Sequence, residues 1–417
     1  MRFAVRTSII GARQRRAVLV CLAVALCAIA LAPTTALGAY AQSYGFVSKC
    51  SMPTMPVDFA AKGMALSPRG NLLVSTTDDY LAEITTTGVN VATLGLGVSL
   101  TQVNNVASNG SDIWVQDEQS RVKKLDSYGN DTGVTIPGFN LADGIAVDAS
   151  GCVYVADEGG SAGYGWQVSK YNSAGTLITR FGTTGTSSNV DWMWSGRCIS
   201  IGPDWSVYVA DSAGGMIRKY APNAARTSYT PAARWASSAL FPSPISVAAD
   251  AKGNVFVLDS SYNTITKLNS AGTVLAHWGG IGTTNGVFTT PWSLVVAPNG
   301  NVFVDDRDAL TVQQFQQLDL GPLTSAAANV TVKKGKTAKL KYRADEDFSS
   351  TVNVTIKVYK GSKLKATIKC GTVGQGAWHT KSWKCKLAKG SYKWKVYATD
   401  AAGHSQQNVA SKTLKVK

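Results

Sequence analysis

The stretch GNVFVLDSSYNTITKL, Gly253–Leu268, is answered forty-seven residues later by GNVFVDDRDALTVQQF, Gly300–Phe315. The same phrase runs through most of the chain. Aligned, it reads ALSPRGNLLVST from Ala65, VASNGSDIWVQD from Val106, AVDASGCVYVAD from Ala146 and SIGPDWSVYVAD from Ser200. AADAKGNVFVLD from Ala248 and VVAPNGNVFVDD from Val295 complete six copies. Their central positions, Leu73, Trp114, Tyr154, Tyr208, Phe256 and Phe303, are spaced by 41, 40, 54, 48 and 47 residues.

One copy shows what the phrase encodes. Ile245 to Ala249 is a small-residue strand. Asp250 to Gly253 is a tight turn that uses glycine at positive φ. Asn254 to Val257 is rich in β-branched and aromatic residues, as strands are. Asp259 stands where a carboxylate caps the next turn. Thr264 to Leu268 alternates as a third strand, and Gly272 to Trp278 supplies a fourth. Short strands at a period of about 40 to 50 residues predict the blades of a β-propeller. Phe139, Phe241 and Phe288, each ahead of a unit, are expected to wedge between neighbours. The sixth copy lacks a fourth strand, and Tyr44 to Lys49 is an unattached strand that can supply it. Pairing of this kind removes an exposed sheet edge.

The net charge of +15 is a sum of unlike parts. Residues 39–321 hold 16 Lys and Arg against 22 Asp and Glu, whereas residues 322–417 hold 20 against 4. Such asymmetry marks a domain boundary and an anionic partner. Five arginines precede an apolar run from Ala17 to Leu31, and small-residue cleavage patterns follow at Ala36 to Gly38 and Ala39 to Ala41. This is the pattern of a secretory signal peptide over residues 1–41. The mature chain is then not membrane-spanning and enters an oxidising compartment. Cys50, Cys152, Cys198, Cys370 and Cys385 remain, an odd number. Cys370 and Cys385, close in sequence, are the expected disulfide.

The phrases GCVYVADE, SVYVADSAGGMIRKY and GNVFVLDSSYNTITKLNSAG resemble NHL repeats, as does the lead-in SYGFVSKC. The resemblance covers residues 44–316 and is strongest in the last four copies. It implies an all-β chain with a six-bladed β-propeller over residues 42–321, used as a binding platform. A basic tail, residues 322–417, alternates apolar and polar residues with turns every 8 to 12 positions, which predicts an Ig-like β-sandwich. Its phrase from Lys389 to Gly403 resembles the immunoglobulin-like domains that end many secreted bacterial proteins, especially of Gram-positive organisms.

Chemistry-bearing residues are sparse. Only His277 of three histidines precedes residue 322, which excludes a zinc site built on several histidines and a histidine-activated nucleophile. Asp157, Asp211, Asp259 and Asp306 recur once per unit, which suits turn capping. Calcium, needing about six to eight converging oxygens, is the one ion left open; no metal ligands and no catalytic residues are assigned. Aromatics in two long loops are the expected recognition face: Tyr164 and Trp166 in one, Trp192, Trp194 and Arg197 in the other, with Asp157 and Glu158 on the rim. The expected function is a secreted, non-enzymatic module at a Gram-positive cell envelope. Protein, peptide or glycan would bind the propeller, an anionic cell-wall polymer the basic tail, and no nucleic acid either. A divalent-cation-dependent lyase or lactonase-like hydrolase is one alternative, and a structural surface spacer another.

Overall fold

The computed structural model describes residues 42–51, 63–75, 79–119, 121–139, 142–158, 166–182, 193–346 and 349–417. The expected signal peptide lies outside them. The described residues are all-β, with no helix among them, and none therefore forms a helix able to cross a membrane. They fall into two units. One comprises Lys49–Pro298 with Phe303–Gln313; the other comprises 42–48, Asn299–Val302 and Gln314–Lys417.

Six four-stranded antiparallel sheets follow the six copies of the repeat. The fifth is typical: Pro244–Ala249, Val255–Asp259, Thr264–Leu268 and Val274–Gly279 pair in sequence order. The corresponding first strands elsewhere are Met64–Leu66, Val103–Ser108, Ala142–Val147, Gly196–Ile201 and Pro291–Val296. In the sixth sheet the fourth strand is Tyr44–Ser51, which pairs with Thr311–Gln317. The second strands are the most buried: every residue of Val207–Asp211, Val255–Asp259 and Val302–Asp306 is buried. At the turn before them, Gly253 and Gly300 take φ of 80° and 86°. In the fourth copy Trp205 takes the same left-handed conformation, φ 64°, with the Arg226 guanidinium 3.8 Å from its ring centroid.

Apolar packing links successive sheets. Trp114, Val122 and Phe139 of the second share one buried cluster with Ile145, Val153 and Val155 of the third. Tyr208 and Phe241 join Val247 and Val257 of the fifth. Met64, Leu72 and Val74 of the first pack with Phe303 and Val312 of the sixth.

The second unit contains a three-stranded sheet, Leu323–Ala326, Thr337–Asp345 and Trp378–Lys384, and a five-stranded one. The latter runs in the order Val330–Val332, Ser411–Val416, Gly390–Thr399, Thr351–Lys360 and Lys363–Gly374. One core, with Trp394, Leu340 and Ile356 fully buried, is shared by both.

Two expectations need correction. The NHL assignment is not upheld: the repeats form separate four-stranded sheets, hydrogen-bonded within themselves. The quoted phrases encode a turn, a buried strand and a turn-capping carboxylate, which small antiparallel sheets of many families can use and which mark no one family. The expected Cys370–Cys385 disulfide finds no support, since both cysteines stand as free thiols. Cys370 lies on the edge strand of the five-stranded sheet. Cys385 follows the last strand of the three-stranded sheet, buried, with its backbone N–H donating to Lys336. Closeness in sequence did not place them on paired strands. Titration with a thiol reagent in denaturant without reductant is therefore expected to count five thiols from residue 42 onward; a count of three would reveal a bridge. In the native state Cys385, which is fully buried, should react slowest, and Cys198 should be slowed as well, since burial pushes its thiol up.

Candidate functional site

A β-bulge near the start of four first strands builds the site. Pairing between first and second strands slips between Val103 and Asn105, Ala142 and Gly144, Gly196 and Cys198, and Pro244 and Ser246. Each slip inserts one residue: Asn104, Asp143, Arg197 and Ile245. Bulges re-aim side chains in this way. Trp292 holds the corresponding place in the sixth copy, between Pro291 and Ser293. All five line one cavity of about 510 Å³ bordered by the first strands of all six sheets. Glu118 and Arg307, from the turns after two second strands, line it too. The far ends of the first strands contribute Leu66, Val147, Ile201, Ala249 and Val296. One end of the cavity is thus charged and aromatic, the other mostly apolar.

Two guanidiniums lie near Trp292: Arg307 is 4.5 Å and Arg197 6.0 Å from its ring centroid, within cation–π range. Arg197 Nε stands 3.9 Å from an Asp143 carboxylate oxygen. Burial raises the Asp143 carboxyl, against the pull of Arg197. The Asn105 side-chain amide donates to the Asp143 carbonyl at 2.7 Å, tying the second sheet to the third. Ser246 Oγ accepts from Leu294 N–H at 3.2 Å and ties the fifth to the sixth.

Asp305 holds Trp292 from behind. Its Oδ1 accepts the Trp292 N–H at 3.2 Å and the Ser293 N–H. Its Oδ2 has no hydrogen-bond partner among the described residues. Burial pushes this carboxyl up to about 7, assisted by the adjacent Asp306 charge and opposed by its two backbone hydrogen bonds.

Three of the recurring aspartates clamp the segments entering the fourth, fifth and sixth sheets. Asp211 accepts from Trp194, Ser195 and Gly214 N–H at 2.9 to 3.1 Å, and from Arg218 Nε at 2.8 Å. Asp259 takes the N–H groups of Ser243, Ser261 and Tyr262. Asp306 takes those of Thr289 and Thr290.

The residues expected from sequence are dispersed. Arg197 is on the cavity. Trp194 is 55% exposed and is held through its backbone by Asp211. Trp166 is buried and bridges to Met193. Asp157 is buried in the second strand of the third sheet, opposite Gln167, and Glu158 ends that strand. Tyr164 and Trp192 lie outside the described residues. Sequence reasoning missed Asn104, Asp143, Trp292 and Arg307. The available signal was one residue too many for strand alternation, as in Ala142-Asp143-Gly144 and Pro291-Trp292-Ser293.

A further group lies in the second unit. His404 Nδ1 is 2.9 Å from an Asp400 oxygen and 3.1 Å from an Asp319 oxygen. The three ligand atoms lie within 4.8 Å of one another and could hold a metal ion. The hydrogen bond to Asp400, with the Asp319 charge, raises the imidazole's affinity for its proton, so a metal would have to displace that proton.

No family model and no curated protein matches the chain. Among solved structures it is similar to the CARDB domain of the PF1109 protein from Pyrococcus furiosus, in complex with di-metal ions. The identity is 16%, over 24% of this chain and 97% of that one, with a TM-score of 0.18. It is also similar to a tetra-tandem repeat in the extending region of a large adhesion protein, at 14% identity over 90% of this chain and all of that one, TM-score 0.18. That no family model matches is in line with the correction above, and at these TM-scores neither likeness says what this chain binds.

Proposed function

We propose that the chain is a non-enzymatic, exported binding protein of the bacterial cell envelope. Its six sheets are the blades of a six-bladed β-propeller over residues 42–321, and residues 322–417 form an Ig-like β-sandwich that associates with the surface. A protein loop, peptide or glycan end binds at the charged mouth of the central cavity. The carrying observation is that bulges in successive first strands turn Asn104, Asp143 and Arg197 toward the same cavity as Trp292. Packing of the sixth sheet on the first supports the ring. Trp292, flanked by Arg197 and Arg307, has the composition of a binding hot spot. Among the described residues Glu118 and Asp143 alone bring carboxylates to the cavity lining, short of the oxygen set a bound calcium ion needs.

Peptide and glycan panels probed with the full chain test this reading. A discrete set of ligands should be retained, and Arg307→Ala should weaken them by about 2 kcal/mol, roughly thirtyfold. Turnover of a ligand, together with a stoichiometric divalent ion on elemental analysis, would replace the reading with the hydrolase or lyase alternative.

A further inference from the structure

The five-stranded sheet of the second unit carries nine lysines in its strands, and neither an arginine nor a carboxylate. Alternation sends Val354, Ile356, Val358, Trp394 and Val396 into the core. The intervening residues form the outer face. Register then fixes which lysines are neighbours. Ser391 lies opposite Lys415, and Lys393 opposite Thr413 on one side and Tyr359 on the other. Lys395 lies opposite Lys357, and Lys369 opposite Thr355. Lys415, Lys393, the Lys395–Lys357 pair and Lys369 therefore descend in one diagonal band across four strands. With about 3.3 Å per residue and about 4.8 Å between strands, the band is roughly 25 Å long.

Its centre is electrostatically costly. Like charges directly opposite across strands destabilise a sheet, and no carboxylate on these strands offsets them. Two tyrosines make the pair tolerable. Lys357 Nζ lies 4.6 Å from the Tyr397 ring centroid and Lys395 Nζ 5.3 Å from that of Tyr359. The two hydroxyls are 3.1 Å apart. The rings hold both ammonium groups over one patch of a Ser- and Thr-rich face.

We propose that this band binds a phosphodiester polyanion of the cell envelope, a polyol-phosphate chain laid across the strands. The inference rests on the surface-association part of the function proposed above and names the face and chemistry responsible. Lysine binds phosphate as a point charge, without the planar fork that grips phosphate or carboxylate bidentately, and this sheet has no arginine, so recognition here rests on the number and spacing of charges. Successive lysines along a strand repeat at about 6.6 Å, two strand residues, so a chain with evenly spaced charges meets several at once. The tyrosines are committed to each other and to lysines, which argues against base stacking and hence against single-stranded nucleic acid.

The test measures binding of the full chain to poly(glycerol phosphate) across a salt series, with poly-glutamate and a single-stranded DNA oligomer as competitors. Affinity should fall linearly on a log–log plot as counterions are released. Lys357→Ser with Lys395→Ser should weaken binding about tenfold and flatten the salt slope by roughly 1.5. The melting temperature should not fall, because a repulsive pair is removed. Lys369→Ser with Lys415→Ser, at the ends of the band, gives a second reading should the first variant misfold. Lys339→Ser with Lys384→Ser, on the other sheet, should change little. Equal loss from that control, or binding to poly-glutamate or DNA as tight as to the phosphate polymer, overturns the inference. If the wild-type chain binds no polyanion, the surface-association reading falls with it. If it binds and the band variants are silent, only the band falls.

Discussion

Asp211→Ala is expected to lower the melting temperature of the six-sheet unit by roughly 10 °C, equivalent to a loss of about 3–5 kcal/mol. Asp211 is fully buried and pairs with Arg218 at 2.8 Å, the two side chains being 0% and 4% exposed. The alanine would leave that guanidinium buried without its closest carboxylate. It would also strip acceptors from the partly buried N–H groups of Trp194, Ser195 and Gly214, whose lost bonds add a smaller penalty. Asp211→Asn retains an acceptor but not the charge, so its loss should be intermediate. Thermal melts monitored by circular dichroism decide the matter. A change below about 1 kcal/mol, the range of exposed pairs, would mean that the clamp is not a buried ion pair.

Asp305→Asn should stabilise the same unit at neutral pH and flatten its pH dependence. The carboxyl is pushed from 3.8 up to about 7 in the folded state, mainly by burial. A group whose folded pKa is raised contributes fully below its unfolded pKa and loses that contribution as pH rises through the folded value. The window therefore runs from about pH 4 to pH 7, with up to about 4 kcal/mol at stake, at roughly 1.4 kcal/mol per pKa unit. Asparagine keeps the acceptor for Trp292 and Ser293 and places an uncharged amide where Oδ2 now has no partner. Denaturant midpoints of wild type and variant should converge near pH 4 and separate by pH 7, with the variant higher. Parallel curves would show that Asp305 is not titrating in this window.

Much of the architecture is legible in the sequence because it is locally encoded. The Gly253 turn, the apolar second strand and the aspartate after it each follow from short-range physics, so six copies predicted six sheets. Tyr44 to Lys49 had the pattern of a strand without a sheet, and the sixth sheet lacked one. Features set by pairing register were not legible. Asp143 reaches the cavity because a bulge shifts one residue against its partner strand, Trp292 holds the corresponding place in the sixth copy, and neither residue type signals that alone. Cys370 and Cys385 are fifteen positions apart yet belong to different sheets. Lysine alternation in Tyr392-Lys393-Trp394-Lys395 announced a cationic face, but only the pairing of Lys357 with Lys395 orders it into a band. Family membership was the least legible, because the repeated phrase describes a sheet rather than a lineage.

The most direct test compares Trp292→Ala with Trp194→Ala for every ligand the wild-type chain retains on a peptide and glycan panel, with melts run alongside. Trp292 belongs to the cavity mouth, and Trp194 to the exposed loop outside it. Loss of binding by about thirtyfold in Trp292→Ala, with Trp194→Ala near wild type and both melts unchanged, is the outcome expected of recognition at the cavity. Binding that survives Trp292→Ala but fails in Trp194→Ala would contradict it and move recognition to the loop.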